Sequence, residues 1–127
     1  MKTNMVGWFE IPVRDMQRAK KFYDKVFDIE IQIHDLQGTL MGWFPFAEDP
    51  EAKGAGGALI QNEKFYKPST NGTLIYFSSP EITTELSKIA AAGGQVLQEK
   101  TLITEAIGYM ALFLDTEGNR IALHSKA

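Results

Sequence analysis

The fold predicted for this chain is decided by one stretch near its start, Gly7-Trp8-Phe9-Glu10-Ile11-Pro12-Val13-Arg14-Asp15-Met16-Gln17-Arg18-Ala19-Lys20-Lys21-Phe22-Tyr23. Its first part alternates as a strand does, with Phe9, Ile11 and Val13 on one face and Trp8, Glu10 and Pro12 on the other. Asp15 then supplies a helix N-cap, because its carboxylate can accept hydrogen bonds from the free N–H groups of a first helical turn. Apolar residues follow at helical spacing and predict a stripe that covers the Phe9 face: Met16, Ala19, Phe22, Tyr23, Val26 and Phe27. The face that carries Trp8 and Glu10 is therefore left to line something else.

The rest of the chain predicts a strand–helix–strand–strand–strand unit that occurs twice. In the first half, apolar or alternating runs predict further strands at 29–34, 39–44 and 58–61. In the second half, a strand at 72–77 leads to a helix that Ser79-Pro80-Glu81 begins and Gly93-Gly94 ends, followed by strands at 95–98, 109–114 and 120–124. The halves also align weakly in sequence, Gly7-Trp8-Phe9 with Gly72-Thr73-Leu74 and Leu40-Met41-Gly42-Trp43-Phe44 with Tyr109-Met110-Ala111-Leu112-Phe113. We interpret this as an internal duplication.

Composition limits the classes of function. A chain of 127 residues, 44% hydrophobic and 23% charged, predicts a single globular domain with a sizeable core. The net charge is −3 without a basic patch, so nucleic acid is not an expected partner. Cysteine is absent, which excludes disulfides and thiolate metal sites and fits the cytoplasm. The polar start before Val6 and the lack of a long apolar run predict neither a signal peptide nor a membrane span.

Three motifs carry a resemblance to the vicinal oxygen chelate superfamily, which includes glyoxalase I, extradiol dioxygenases, and bleomycin and fosfomycin resistance proteins. They are Phe9-Glu10-Ile11-Pro12-Val13 with Asp15, the helix pairs Arg18-Ala19 and Phe22-Tyr23, and the late turn Asp115-Thr116-Glu117-Gly118-Asn119-Arg120-Ile121. The resemblance covers essentially the whole chain and implies an α+β fold of two tandem βαβββ modules, at about 6–62 and 72–125. Each module curls a mixed, mainly antiparallel sheet around a cleft. The resemblance also implies a homodimer.

Metal-using members of that superfamily take one ligand from the first strand and one from the last strand of each module. Here the first-strand positions fall on Trp8 and Thr73, and the last-strand positions fall on Ala122 and on Ile60 or Gln61. An indole nitrogen only donates, a threonine hydroxyl is a poor ligand and alanine has no donor atom, so at best Gln61 survives. We therefore predict no cofactor and disfavour a divalent metal. The fallback metal site is a non-standard one built from Glu10, Gln61 and His124.

Strand alternation predicts which residues line the cleft. The expected ligand-binding set is largely apolar and aromatic with a few polar groups: Trp8, Met41, Trp43, Gln61, Thr73, Ile75, Phe77, Met110, Leu112, Arg120 and His124, with Glu10 as the candidate catalytic acid or base. The same residues also suit a barrel filled by its own side chains, and both interpretations stay open. The loops 48–57 and 101–108 are either lids or plain connections, and His34 is interpreted as a solvated strand-end histidine.

The leading functional hypothesis is a glyoxalase/bleomycin-resistance-like protein that binds a small organic molecule without the usual metal. One alternative is a metal-dependent lyase, of the lactoylglutathione-lyase kind, or a dioxygenase with non-standard ligands. The other is a non-catalytic structural or partner-binding module. No nucleophile elbow, phosphate loop or zinc-protease motif occurs, so the sequence leaves open whether the protein is an enzyme.

Overall fold

The computed structural model describes residues 3–127; Met1 and Lys2, which begin the polar N-terminal stretch, lie outside the described residues. Ten elements follow one another in two similar series. The first series is β1 (Trp8–Pro12), α1 (Met16–Phe27), β2 (Gln32–Leu36), β3 (Thr39–Trp43) and β4 (Gly56–Gln61). The second series is β5 (Tyr76–Ser78), α2 (Ile82–Ile89), β6 (Gln95–Thr104), β7 (Gly108–Leu114) and β8 (Arg120–Ser125).

Each series forms its own four-stranded sheet, in the order β1-β4-β3-β2 and β5-β8-β7-β6. Strand β1 pairs in parallel with β4, and β5 pairs in parallel with β8. All other neighbouring strands pair antiparallel. The predicted α+β fold of two tandem βαβββ modules is therefore confirmed. Within the described residues β1 and β5 are edge strands that do not pair with each other, so the two sheets stay open along this seam.

Helix α1 begins and ends where its local sequence directs. Asp15 has an extended backbone, and its carboxylate accepts a 3.1 Å hydrogen bond from the N–H of Arg18. The helix stops at Asp28, whose φ of 53° lies in the left-handed region that aspartate tolerates better than most residues. Five of the six residues in the predicted stripe are buried, Met16, Ala19, Phe22, Tyr23 and Val26, and Phe27 is partly buried.

Both helices pack into one core that the two modules share. The Phe22 ring lies 5.9 Å from Phe113 of β7, and the Tyr23 hydroxyl donates a 2.7 Å hydrogen bond to Asp115 just after β7. Burial raises the pKa of Tyr23, and the neighbouring Asp115 carboxylate adds to this effect. Each sheet therefore has a core side, which faces the helices, and an open face. In the first sheet Ile11 is buried on the core side, whereas Trp8 on the open face is 44% exposed.

Several element boundaries differ from the prediction. Helix α2 begins at Ile82 with Glu81 as its N-cap, because the Glu81 carboxylate accepts from the N–H of Thr83. The predicted cap Ser79 accepts from the N–H of Glu81 instead, outside the helix. Strand β2 starts at Gln32 and not at residue 29, and β5 has only three residues. Strand β6 continues to Thr104, so half of the predicted 101–108 loop is strand paired with β7. No helix within residues 3–127 combines the length and apolarity needed to cross a bilayer.

Candidate functional site

A cavity of about 460 Å³ lies where the end of β1 meets the start of β8 and the chain that enters β5. Five predicted site residues line this Glu10 cavity: Trp8, Glu10, Thr73, Ile75 and Arg120. Lys67 and Asn119 also contribute to its wall. Its volume lies in the range of small-molecule sites, which run from about 300 to 1,000 Å³. Apolar surface and opposite charges, Glu10 against Lys67 and Arg120, thus meet in one cavity.

Aromatic rings extend this site along the open face of the first sheet. Trp8 and Trp43 meet edge to face with ring centroids 6.4 Å apart, and His34 lies 4.5 Å from Trp43. Strand register puts Trp43 beside Ala58 and Met41 beside both His34 and Ile60, so these residues share the open face with Trp8 and Glu10. Within the described residues, the buried atoms Trp43 Nε1 and His34 Nε2 have no hydrogen-bond partner. Both atoms are buried, so a polar group reaches them only if the side chains that cover them move.

Glu10 is held at the centre of the site by two side chains. Tyr66, from the connector between the modules, donates a 2.9 Å hydrogen bond to Glu10 Oε1, and Trp8 Nε1 donates to Oε2 at 3.4 Å. The hydrogen bond to the carboxylate, together with its negative charge, raises the pKa of the Tyr66 phenol. An ionised carboxylate only accepts, so Glu10 suits a donor or a cation on a ligand.

The open face of the second sheet carries the remaining predicted residues. Register puts Met110 beside His124 and Leu112 beside Ala122, which places all four on one face with Tyr76. His124 Nε2 lies 2.7 Å from the carbonyl oxygen of Ile107, which can only accept, so the imidazole carries its proton there. Arg120 lies at the start of β8 and lines the Glu10 cavity. The predicted residues Met110, Leu112 and His124 do not line it.

Two residues of the predicted set point to the core side. The Gln61 side-chain oxygen accepts a 2.7 Å hydrogen bond from the N–H of Met16 and so satisfies the first turn of α1. Phe77 packs among core rings, 5.8 Å from Phe9 and 4.8 Å from Phe27. Both assignments depended on a strand register one residue away from the observed one, and a shift of one residue moves a side chain to the opposite face.

The residues at the superfamily's metal positions do not fit a divalent cation. Ala58 and Ala122 are structural counterparts, because Ala58 lies between Glu10 and Trp43 as Ala122 lies between Tyr76 and Leu112. The late position of module one is thus Ala58 and not Ile60 or Gln61. Trp8 lies seven residues before the N-cap Asp15 (15 − 8 = 7), and Leu74 lies seven residues before the N-cap Glu81 (81 − 74 = 7). The early position of module two is therefore Leu74 and not Thr73. Two alanines, a leucine and an indole offer no ligand atom.

The fallback ligands are also not brought together. Gln61 faces the core, and the His124 proton on Nε2 is bound to a backbone carbonyl. Among residues 3–127 no three His, Cys, Asp or Glu side chains group so as to hold a metal ion. The side chains near the Glu10 cavity can therefore bind and orient an organic molecule by stacking, hydrogen bonding and charge.

Sequence reasoning missed His34 and Tyr66. His34 is half-buried against Trp43 and is not a solvated strand end. The predicted strand ended at His34, whereas β2 continues to Leu36, so His34 lies within the strand and its side chain shares a face with Gln32 and Leu36. Tyr66 lies in a polar connector, and no local pattern connects it to Glu10.

Comparisons with known proteins agree with this architecture. The family model described as Glyoxalase/Bleomycin resistance protein/Dioxygenase superfamily matches residues 5–123. This protein belongs to that superfamily, as the resemblance of its motifs predicted. No curated protein matches the sequence.

Solved structures share the fold at low sequence identity. A glyoxalase/bleomycin resistance protein from Albidiferax ferrireducens has a TM-score of 0.71 and 20% identity, covering 98% of this chain and 100% of its own. TnmS3, an antibiotic-binding protein from a Streptomyces species, has a TM-score of 0.68 and 19% identity over 100% and 99% of the two chains. A glyoxalase I mutant from Zea mays has a TM-score of 0.73 and 19% identity, covering 94% of this chain. This chain spans just under half of the maize enzyme, 45% of its length.

Proposed function

We propose that this protein binds a small, flat organic molecule in the Glu10 cavity and against the tryptophans beside it, without the divalent metal that many of its relatives use. The observation that carries the proposal is the convergence of Trp8, Glu10, Thr73, Ile75 and Arg120 on one cavity of about 460 Å³. All five residues belong to the set that the sequence predicts for the site.

Stacking against tryptophan would supply much of the affinity. Trp8 is 44% exposed although it is large and apolar, so a planar ligand can cover it without displacing the core. Glu10 and Arg120, which both line the cavity, would then fix the orientation of the ligand, Glu10 as an acceptor and Arg120 as a donor. Tyr66 would have to release Glu10, or share it, when a ligand donates to the carboxylate.

The chemistry of the metal positions supports binding in preference to metal-assisted catalysis. Lyase or dioxygenase chemistry of the usual kind needs nitrogen or carboxylate ligands, and Trp8, Leu74, Ala58 and Ala122 supply none. The antibiotic-binding protein TnmS3 has this fold over its whole length, which is consistent with a binding role.

The proposal is tested by titrating the protein with a set of small planar aromatic molecules and measuring tryptophan fluorescence and binding calorimetry. We expect Trp8→Ala to weaken binding roughly 2- to 12-fold, the equivalent of an aromatic pair worth about 0.5–1.5 kcal/mol. Leu36→Ala is the matched control, because Leu36 is 51% exposed on β2 and lines neither described cavity.

Binding that does not change in Trp8→Ala, or no binding by any member of the set, would contradict the proposal. A parallel titration with Ni, Co, Zn, Fe and Mn, read by thermal unfolding, addresses the metal-dependent alternative. Near-stoichiometric metal that is lost in Glu10→Gln or His124→Ala would favour a lyase or dioxygenase with non-standard ligands instead.

A further inference from the structure

A second cavity, of about 480 Å³, lies on the other side of the seam between the two sheets. It is lined by Val6 and Phe9 near the start of β1, by β5 and by the start of β4, whereas the Glu10 cavity is lined by β1, by the chain that enters β5 and by the start of β8. The two cavities are thus related by the internal duplication. Val6, Phe9 and Ile75 line both cavities. We name the second cavity the Lys53 cavity, after the charged residue in its wall.

The floor of the Lys53 cavity is a cluster of phenylalanine rings. Phe77 lies at its centre, 5.8 Å from Phe9, 4.8 Å from Phe27 and 5.4 Å from Phe44. All four rings belong to the core side of the sheets, not to the open face that carries Trp8 and Trp43. This cavity therefore exposes core aromatic surface from which a ligand can exclude water.

The side walls stay open because the chain that leads into β4 is made of small residues. Gly54, Ala55, Gly56 and Gly57 all line the cavity. A methyl group at Gly57 would overlap the Phe9 ring, so this position has to be glycine for Phe9 to lie in the floor. Ala55 is half-buried, and a larger side chain there would fill the space.

The polar groups at the rim are all able to donate. Lys53 is the only charged side chain in the lining, and within residues 3–127 its ammonium forms no ion pair. Tyr76, which is 50% exposed, and Ser78 add hydroxyl groups. No Asp or Glu of the described chain lines this cavity. The Glu10 cavity differs, because it contains a carboxylate beside Arg120 and Lys67.

From this arrangement we propose that the Lys53 cavity is a second binding site, specific for a flat apolar molecule that carries one acidic group. The ring system lies on Phe9, Phe44 and Phe77, and the acidic group pairs with Lys53 at the rim. Helix α1 ends beside the cavity at Phe27, and the partial negative charge of a helix C-terminus directs the acidic group away from that end. This site is independent of the function proposed for the Glu10 cavity.

The test compares two dyes with the same kind of ring system. Anilinonaphthalene sulfonate carries an anion, and phenylnaphthylamine does not; both fluoresce strongly only in apolar surroundings. We expect Lys53→Met to weaken sulfonate binding by about tenfold, the loss of one charge-assisted hydrogen bond, and to leave the neutral dye unchanged. Lys53→Arg should retain binding, and Ala55→Trp should abolish binding of both dyes.

Two control variants distinguish binding in the Lys53 cavity from binding in the Glu10 cavity and from a general effect of surface charge. Arg120→Gln removes a cation of the Glu10 cavity, and Lys21→Met removes an exposed cation on α1 that lines neither cavity. Neither should change sulfonate binding. A loss in Arg120→Gln equal to or greater than the loss in Lys53→Met would place the dye in the Glu10 cavity and overturn the proposal. Equal losses in Lys53→Met and Lys21→Met, or no binding of the sulfonate dye, would overturn it as well.

Lys53 lies in an exposed loop, so its variants do not put the fold at risk. The dye comparison therefore stays decisive even if Ala55→Trp fails to fold.

Discussion

Arg18 of α1 and Glu117 of the β7–β8 turn form a two-pronged ion pair across the two modules. Arg18 Nε donates to Glu117 Oε2 at 2.8 Å, and Nη2 donates to Oε1 at 2.9 Å. The same carboxylate accepts from the backbone N–H groups of Arg14 and Asp15, at 2.8 and 2.9 Å. One buried side chain thus neutralises the start of the first-module helix from the second module.

We predict that Glu117→Gln destabilises the protein by roughly 1–3 kcal/mol, because a buried charged acceptor with several donors is replaced by a neutral amide. Urea unfolding measures this loss. Glu105→Gln is the control: Glu105 is exposed in the β6–β7 turn, and its variant should stay within about 0.5 kcal/mol of wild type. An equal stability for both variants would show that the cross-module pair contributes nothing measurable.

Burial by itself would raise the pKa of the Glu117 carboxyl. The hydrogen bonds from Arg18, Asp15, Thr116 and Arg14 outweigh this effect and lower its pKa. The stabilisation is therefore present above the unfolded pKa of about 4.3 and is lost as pH falls through the lower folded value. The single variants Arg18→Gln and Glu117→Gln together with the double variant give the coupling energy of the pair.

A second carboxylate predicts acid sensitivity of the other helix. Glu81, the N-cap of α2, is paired with Lys100 at 2.8 Å, and hydrogen bonds from Lys100 and Thr83 lower its pKa to about 2. Because the folded pKa is below the unfolded one, its contribution is present above about pH 4.3 and is lost as pH falls towards 2. Glu81→Gln should flatten the decline of unfolding free energy over this interval, measured by urea titration at successive pH values. Curves that stay parallel for variant and wild type would argue against the pairing.

Adjacent glycines at the start of β4 should respond differently to one methyl group. At Gly57 the added methyl overlaps the Phe9 ring, and overpacking of this kind costs roughly 1–3 kcal/mol. At Gly56 the nearest atom, on the Trp8 ring, is at an ordinary 3.5 Å. Thermal unfolding of Gly57→Ala and Gly56→Ala makes the comparison, and neither position has a positive φ that would confuse it. If the two variants melt alike, Phe9 does not pack against the strand as described.

The homodimer stays a prediction from the family resemblance. Exposed apolar side chains at the β6–β7 end of the second module offer a surface for it: Leu102, Ile103 and Ile107 are 40–49% exposed. Light scattering coupled to size exclusion should give twice the chain mass, and Leu102→Glu/Ile107→Glu should shift it towards one. Leu36→Glu, on the first module, is the matched control, and a monomer in the wild-type protein would refute the prediction.

The sequence by itself determined the features that depend on neighbouring residues. The cap at Asp15, the buried stripe of α1 and the alternation of Trp8 with Phe9 are local, because a helix turn or a strand pleat fixes them within a few residues. The repeat of the element order was also readable, and with the opening and closing motifs it identified the superfamily. These local signals brought Trp8 and Glu10 to the right face.

Only the tertiary structure decided which distant groups meet. Gln61 lies on the core side and not on the predicted face of β4. The face on which a strand residue lies depends on the pairing register, and the neighbouring strands β1 and β3 fix that register. The polar residues around Lys100 form part of strand β6, because β7 supplies hydrogen-bond partners for their backbone groups. The Tyr66–Glu10 and Arg18–Glu117 contacts join residues far apart in the chain, and no local pattern encodes them. The Lys53 cavity likewise exists only because two sheet edges meet without pairing, which leaves the core rings open to a ligand.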